Sequence, residues 1–348
     1  MLKVLKYTVL TAFILVVVFI VSIFIDVFTT DTPVEGFELS TLKKRVVLNE
    51  HSIEDTLEIA KDYFNNNEIK KSYITYLHIL ERDPNNVDAY IGISWLYERI
   101  DNYPEAEKHI LEAEKRINSE TSPETLIELY FTAGQLYGSY SKYHGNMYLD
   151  KERDYYYEAL IVKGLDNELI NAYYSHIYYR LGITYSILKD YEQEVKYYLK
   201  SYNIDEDKSM YYPIFYSYTY AGDFKNANEY LQLIKESHGE NFSYFLAMAH
   251  YNTEMGDYDE AYKYFEKAKE VPVDSVIFQY HLRIANYYEK IGNYEKAKEH
   301  YIKFYENNMY FVNDTIFQEK IQKYNIDIKK YERMIEKERE KNYSKKIL

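Results

Sequence analysis

The residues that could carry chemistry do not converge on a site. The 348-residue chain has no cysteine, so it has no thiolate nucleophile, no thiolate metal ligand and no disulfide. Nine histidines are scattered along it, among them His144, His176 and His250, and none forms a paired-histidine zinc motif. Neither a phosphate-cradling glycine loop nor a serine elbow is present. Asp257 and Asp259 bring two carboxylates close together, but they stand in Gly256-Asp-Tyr-Asp-Glu, a turn leading into a helix. Carboxylates are common in such turns, and this pair does not read as a general acid and base. The reading is therefore no catalytic residue, no metal site, no cofactor and no enzyme. Aromatic surface remains. Trp95 is the only tryptophan. Tyr212, Tyr216 and Tyr220 recur every fourth residue, which puts them on one helix face. Exposed Tyr and Trp are typical anchors at protein interfaces.

The elements that must position these side chains are repeated. Gly256-Asp-Tyr-Asp-Glu-Ala-Tyr-Lys-Tyr-Phe-Glu-Lys-Ala268 returns as Gly292-Asn-Tyr-Glu-Lys-Ala-Lys-Glu-His-Tyr-Ile-Lys-Phe304, and an earlier copy starts at Gly222. The three glycines stand 34 and 36 residues apart, a period that marks a stacked helix-turn-helix array. Small residues such as Ala60, Ser94, Gly134, Gly182, Ala249 and Ala285 let paired helices approach closely. Ser122-Pro123 opens a helix as N-cap and first-turn residue. The pattern resembles the tetratricopeptide repeat family over about residues 53–306, as about seven pairs. The fold class expected is all-α, an α-solenoid preceded by one N-terminal transmembrane helix. Two features depart from the pattern. Ser141 to Met147 reads as a longer connection within the third pair. Glu152 and Glu194 stand where other pairs carry a small residue, leaving two readings open, splayed helices or a different register.

The resemblance implies a concave groove lined by the first helices and holding a peptide or a partner's helix. Carried over by alignment, it places Phe64, Trp95, Phe131, Tyr179, Tyr212, Tyr216, Tyr220 and His250 toward that groove. The alternative for each aromatic is packing against the next repeat. Family members that bind chaperone tails present a basic clamp to a terminal carboxylate. Here the matching places hold Leu57, Lys61, Ile91 and Trp95, and Lys61 alone fits, so that clamp is not expected.

Tyr7 to Ile25 is a run of 19 uncharged residues, long enough as a helix to cross a bilayer. Lys3 and Lys6 precede it, and Asp26, Asp31, Glu35 and Glu38 follow. That asymmetry predicts a cytoplasmic N-terminus and an extracytoplasmic body. Ile25-Asp-Val-Phe-Thr-Thr30 offers no small-x-small cleavage site, which favours an anchor at 1–25 over a removed signal peptide. Residues 26–52 read as a linker. Residues 307–348 read as a capping helix and charged tail. Phe317, Ile321, Tyr324, Ile328, Tyr331 and Ile335 form the helix's apolar stripe, and a short coiled coil is the alternative.

Charge excludes one class of partner. The chain carries 42 basic and 56 acidic side chains, a formal net charge of −14 that repels phosphate backbones and argues against nucleic acid. The expectation is a membrane-anchored interaction scaffold for a protein or peptide partner, on the extracytoplasmic side in an envelope complex. A peptide-responsive sensor, in which a ligand closes the superhelix, is the alternative.

Overall fold

The computed structural model describes residues 51–144, 146–272, 277–307 and 315–327, together with 329 and 333. The apolar run Tyr7–Ile25, most of the linker, and Ile328, Tyr331 and Ile335 lie outside the described residues. Among the described residues, no helix is long and apolar enough to cross a membrane.

The described residues form fifteen α-helices and no strand. They pair as α1 (Ile53–Asn65) with α2 (Ile69–Arg82), α3 (Val87–Arg99) with α4 (Tyr103–Glu114), α5 (Pro123–His144) with α6 (Leu149–Ile161), and α7 (Asn167–Ile187) with α8 (Tyr191–Asp205). Then come α9 (Tyr211–Tyr220) with α10 (Phe224–His238), α11 (Phe242–Met255) with α12 (Tyr258–Glu270), α13 (Ile277–Lys290) with α14 (Tyr294–Asn307), and last α15 (Thr315–Tyr324). Each second helix packs on its own first helix and on the next one. First helices also touch one another along most of the array, so the stack has an inner face made of first helices.

Local chemistry explains where the helices start. Asp190, Asp223 and Asp257 each cap a second helix, accepting from the backbone N–H groups of Gln193, Asn226 and Glu260 at 3.2, 3.1 and 3.2 Å. Such a cap stabilises a helix by about 1 kcal/mol. Asp257 thus has a structural task. Ser122 receives the N–H of Thr125 at 3.1 Å and opens α5 ahead of Pro123. The turn before six of the second helices uses a left-handed residue. Gly222, Gly256 and Gly292 supply it at φ +76, +84 and +77°, while Asn67, Asp101 and Lys189 adopt φ near +60° at the matching points.

The crossing points rest on matched sizes. A Cβ on Gly134 would lie 2.5 Å from the Tyr156 ring, and one on Gly182 would lie 2.4 Å from the Tyr198 ring. In those pairs glycine makes room for a fully or largely buried tyrosine on the second helix. Where the first helix carries Ala249, the second carries Phe265, and both are buried.

The two glutamates at small-residue positions neither splay the helices nor shift the register. α5–α6 and α7–α8 pack as closely as the other pairs. Glu152, 2% exposed, accepts two hydrogen bonds from Arg180 at 3.1 and 2.6 Å, and Gly138 leaves space for both side chains. Glu194 is also buried, and its Oε2 has no hydrogen-bond partner among the described residues. Burial pushes its carboxyl up to about 7, partly offset by the hydroxyls of Ser217 and Ser186. The expected long connection after Ser141 is corrected too: α5 continues to His144, and a 3-10 turn at Asn146–Tyr148 leads into α6. The extra residues extend a helix because Ala133, Leu136, Tyr137 and Tyr140 keep finding buried partners along it.

At the far end, Ile321, Tyr324 and Ile326 join the core of the last two repeats. Lys320 and Lys323 both pair with Glu289, and the Tyr324 ring lies 5.4 Å from that of Tyr301. Asn325 then turns the chain at φ +48°. The part of the apolar stripe that is described covers the last repeat.

Candidate functional site

The inner face carries two clusters. The first lies on α1, α3 and α5, around a cavity of about 510 Å³. Phe64 and Trp95 form its aromatic wall, with ring centroids 5.7 Å apart. Trp95 is fixed by a hydrogen bond from its Nε1 to the Thr132 hydroxyl at 3.0 Å. Two cations lie over these rings: Lys61 is 5.8 Å from the Trp95 ring and Arg99 is 4.6 Å from the Phe64 ring. Lys61 is exposed and forms no ion pair among the described residues. Glu98, Glu128, Asn65 and Gln135 complete the lining.

The two cavity carboxylates are held by hydroxyls. Ser139 donates to Glu98 at 2.7 Å, and Tyr173 donates to Glu128. Burial raises Glu128, partly offset by Lys61. Burial also raises Glu98, partly offset by Ser139 and Arg180. The cavity therefore offers an apolar wall, cations on aromatic faces and carboxylates whose charge is costly. Such a mixture can hold a side chain of a partner. It contains no nucleophile set against a base.

The second cluster lies on α9, α11 and α13. His250 is 3% exposed, and its ring sits 5.2 Å from Tyr216 and 4.8 Å from Tyr220. Burial, then the charges of Arg283 and Lys290, hold it well below the ordinary histidine range. Arg283 reaches from α13 past α11 to α9. Its guanidinium lies 4.0 Å from the Tyr216 ring and donates to the Tyr220 hydroxyl at 2.6 Å. Beside them Lys290 pairs with Glu254 at 2.6 Å. Tyr191 stacks on Tyr220 at 5.4 Å.

The residues singled out by alignment thus fall in different settings. Trp95 and Phe64 share the cavity. Tyr216, Tyr220 and His250 meet in the second cluster, with Tyr220 36% exposed at its rim and His250 beneath. Tyr212 is half-buried, 5.5 Å from His238. Tyr179 is 37% exposed, its ring 5.9 Å from that of Tyr198. Phe131 packs edge-on against Tyr173 and His176 of the next repeat, at 5.1 and 5.3 Å. Arg99, Glu98, Glu128 and Arg283 were not anticipated. Arg99 could have been, because it follows Trp95 by one helical turn. His281 and His300 bring Nδ1 atoms within 3.0 Å, but two imidazoles are too few ligands. No group of three metal-ligating side chains occurs among the described residues.

The tetratricopeptide repeat family models match residues 75–108, 175–208, 242–272 and 278–308. The described residues form an all-helical solenoid that is tetratricopeptide-like in architecture, with those matched stretches as its repeats. Among solved structures it is similar to a tetratricopeptide repeat protein from Parabacteroides merdae, with 13% identity, 74% of this chain and 93% of that chain covered, and a TM-score of 0.53. It is also similar to the C-terminal part of a repeat-containing protein from Cytophaga hutchinsonii, with 17% identity, 73% and 95% covered, and a TM-score of 0.47. A third is PilF of Pseudomonas aeruginosa, with 16% identity, 62% and 90% covered, and a TM-score of 0.46. No curated protein matches.

Proposed function

We propose that this repeat protein is a scaffold tethered to a membrane by Tyr7–Ile25, holding a protein partner on the inner face of its solenoid. One observation carries the choice of face. The cavity at Trp95 combines an aromatic wall, exposed Lys61 and a volume of about 510 Å³, large enough for a bulky side chain. The repeat fold supports an interaction role, since tetratricopeptide arrays bind protein or peptide partners. The charge asymmetry around the apolar run supports an extracytoplasmic body in an envelope assembly.

Two experiments on the full-length chain in its native membrane test this reading. Affinity copurification compares wild type with Trp95→Ala, Lys61→Glu and Tyr262→Ala. Tyr262 is exposed on α12, a second helix, and serves as the control. Loss of the copurifying partner in the first two variants and retention in the third is expected. Retention in all four would remove the inner face from consideration. Protease protection tests the orientation: the body should be cut only from the extracytoplasmic side, and replacing Lys3 and Lys6 should randomise it.

A further inference from the structure

We propose that Arg283, spanning the inner face between α13 and α9, receives a side-chain carboxylate of the bound partner. This rests on the inner-face reading above and names the chemistry of its second cluster. The starting point is a cation with no direct ion pair, on which Glu254 acts only at longer range. Arg283 forms no ion pair among the described residues, in a chain with 14 more acidic than basic side chains. Its nearest contacts are two neutral phenols, Tyr216 under the guanidinium and Tyr220 at the end of one N–H. A guanidinium has five N–H donors, so donors remain beyond the one that Tyr220 engages.

The surroundings keep this cation both fixed and available. Stacking on Tyr216 orders the guanidinium and lowers the entropy lost when a ligand binds. The carboxylate beside it, Glu254, is occupied by Lys290 at 2.6 Å. His250 beneath is kept neutral by burial and by the charges of Arg283 and Lys290, so it adds no positive charge. One planar cation among aromatic walls suits a planar carboxylate, which can take two parallel N–H bonds. A phosphate dianion would call for more cationic donors than this cluster offers. The Tyr191–Tyr220 stack and half-buried Tyr212 provide apolar contacts on either side. The occupant that fits is a peptide segment with an Asp or Glu flanked by apolar residues.

The test uses the full-length chain in detergent micelles, with a phage-displayed library of random dodecapeptides as the probe. Selected peptides are synthesised and titrated by fluorescence anisotropy against wild type, Arg283→Gln and Arg283→Lys. Circular dichroism and thermal midpoints check that the variants are folded. The selected peptides should share an acidic position. Exchanging that residue for Asn or Gln should weaken binding to wild type about tenfold or more, and binding to R283Q less than about twofold. R283K, which keeps the charge and loses the fork, should fall between. Selected peptides with no shared acid, or an acid worth the same on wild type and R283Q, would overturn the role of Arg283 while leaving a peptide-binding inner face. Selection of no peptide would count against both.

Discussion

Replacing Glu194 by Gln should stabilise this protein at alkaline pH and leave it unchanged in acid. Glu194 is 4% exposed, and Oε2 has no partner among the described residues. Burial pushes its carboxyl to about 7 against an ordinary 4.5. The raised value fixes the sign. Between 4.5 and 7 the folded state holds a proton that the unfolded chain has released, so the residue favours folding as pH falls. That contribution is complete below 4.5 and lost as pH rises through 7. At about 1.4 kcal/mol per pKa unit, the gap corresponds to ~3 kcal/mol at pH 8 as an upper bound. Gln keeps the shape and an acceptor for Ser217 and Ser186 without the charge. The assay is urea unfolding of the full-length chain, followed by circular dichroism at pH 8, 7, 6 and 5. Glu152, His109 and His250 also titrate abnormally, but they are present in both proteins and cancel in the difference. The variant should gain of order 2–3 kcal/mol at pH 8, with the gain shrinking toward zero by pH 5. A difference independent of pH, or a loss at pH 8, would refute the reasoning.

Three further outcomes follow from the packing. Arg180→Met should destabilise by about 3 kcal/mol in urea titrations at pH 8, because it strands buried Glu152; the double variant with Glu152→Met should recover most of that loss. Gly134→Ala should cost ~1–3 kcal/mol by the same titration, since the added Cβ meets the buried Tyr156 ring. Lys189→Gly should stabilise by about 1 kcal/mol, because φ +60° strains a lysine and suits glycine, and its exposed pair with Glu319 is worth little; an unchanged thermal midpoint would contradict it.

Much of the fold was legible because repeated geometry imposes repeated residue choices. The positive-φ turn exposed itself at Gly222, Gly256 and Gly292, and the small crossing residues at Ala60, Ser94 and Ala249. Glu194 and Glu152 broke the pattern for reasons that sit elsewhere in the chain. The partner of Glu152 is Arg180, 28 residues away on the next repeat, and Glu194 has two serines on neighbouring first helices. Pair spacing alone cannot show either. The long α5 was misread because polar Ser141 and Lys142 look like a loop, whereas helix continuity is set by buried Leu136, Tyr137 and Tyr140 upstream.

The candidate site divided in the same way. Trp95 and the tyrosine trio stood out by type and spacing, but spacing did not show that Tyr212 packs by His238 while Tyr216 and Tyr220 meet His250. Arg283 did not stand out, because a charged residue on a helix ordinarily reads as solvated. Its contact with Tyr220, 63 residues earlier, depends on how tightly repeats five to seven wind. Lys189 and Glu319, 3.5 Å apart, mark the same winding on another part of the array.

The central claim, that the inner face is the working surface, is tested most directly by photocrosslinking in the native membrane. A photoreactive residue at Tyr216 is compared with one at Lys263, which is exposed on the second helix α12. The account predicts a discrete crosslinked partner from position 216 and none from 263. Equal crosslinking from both positions, or crosslinking from 263 alone, would contradict it.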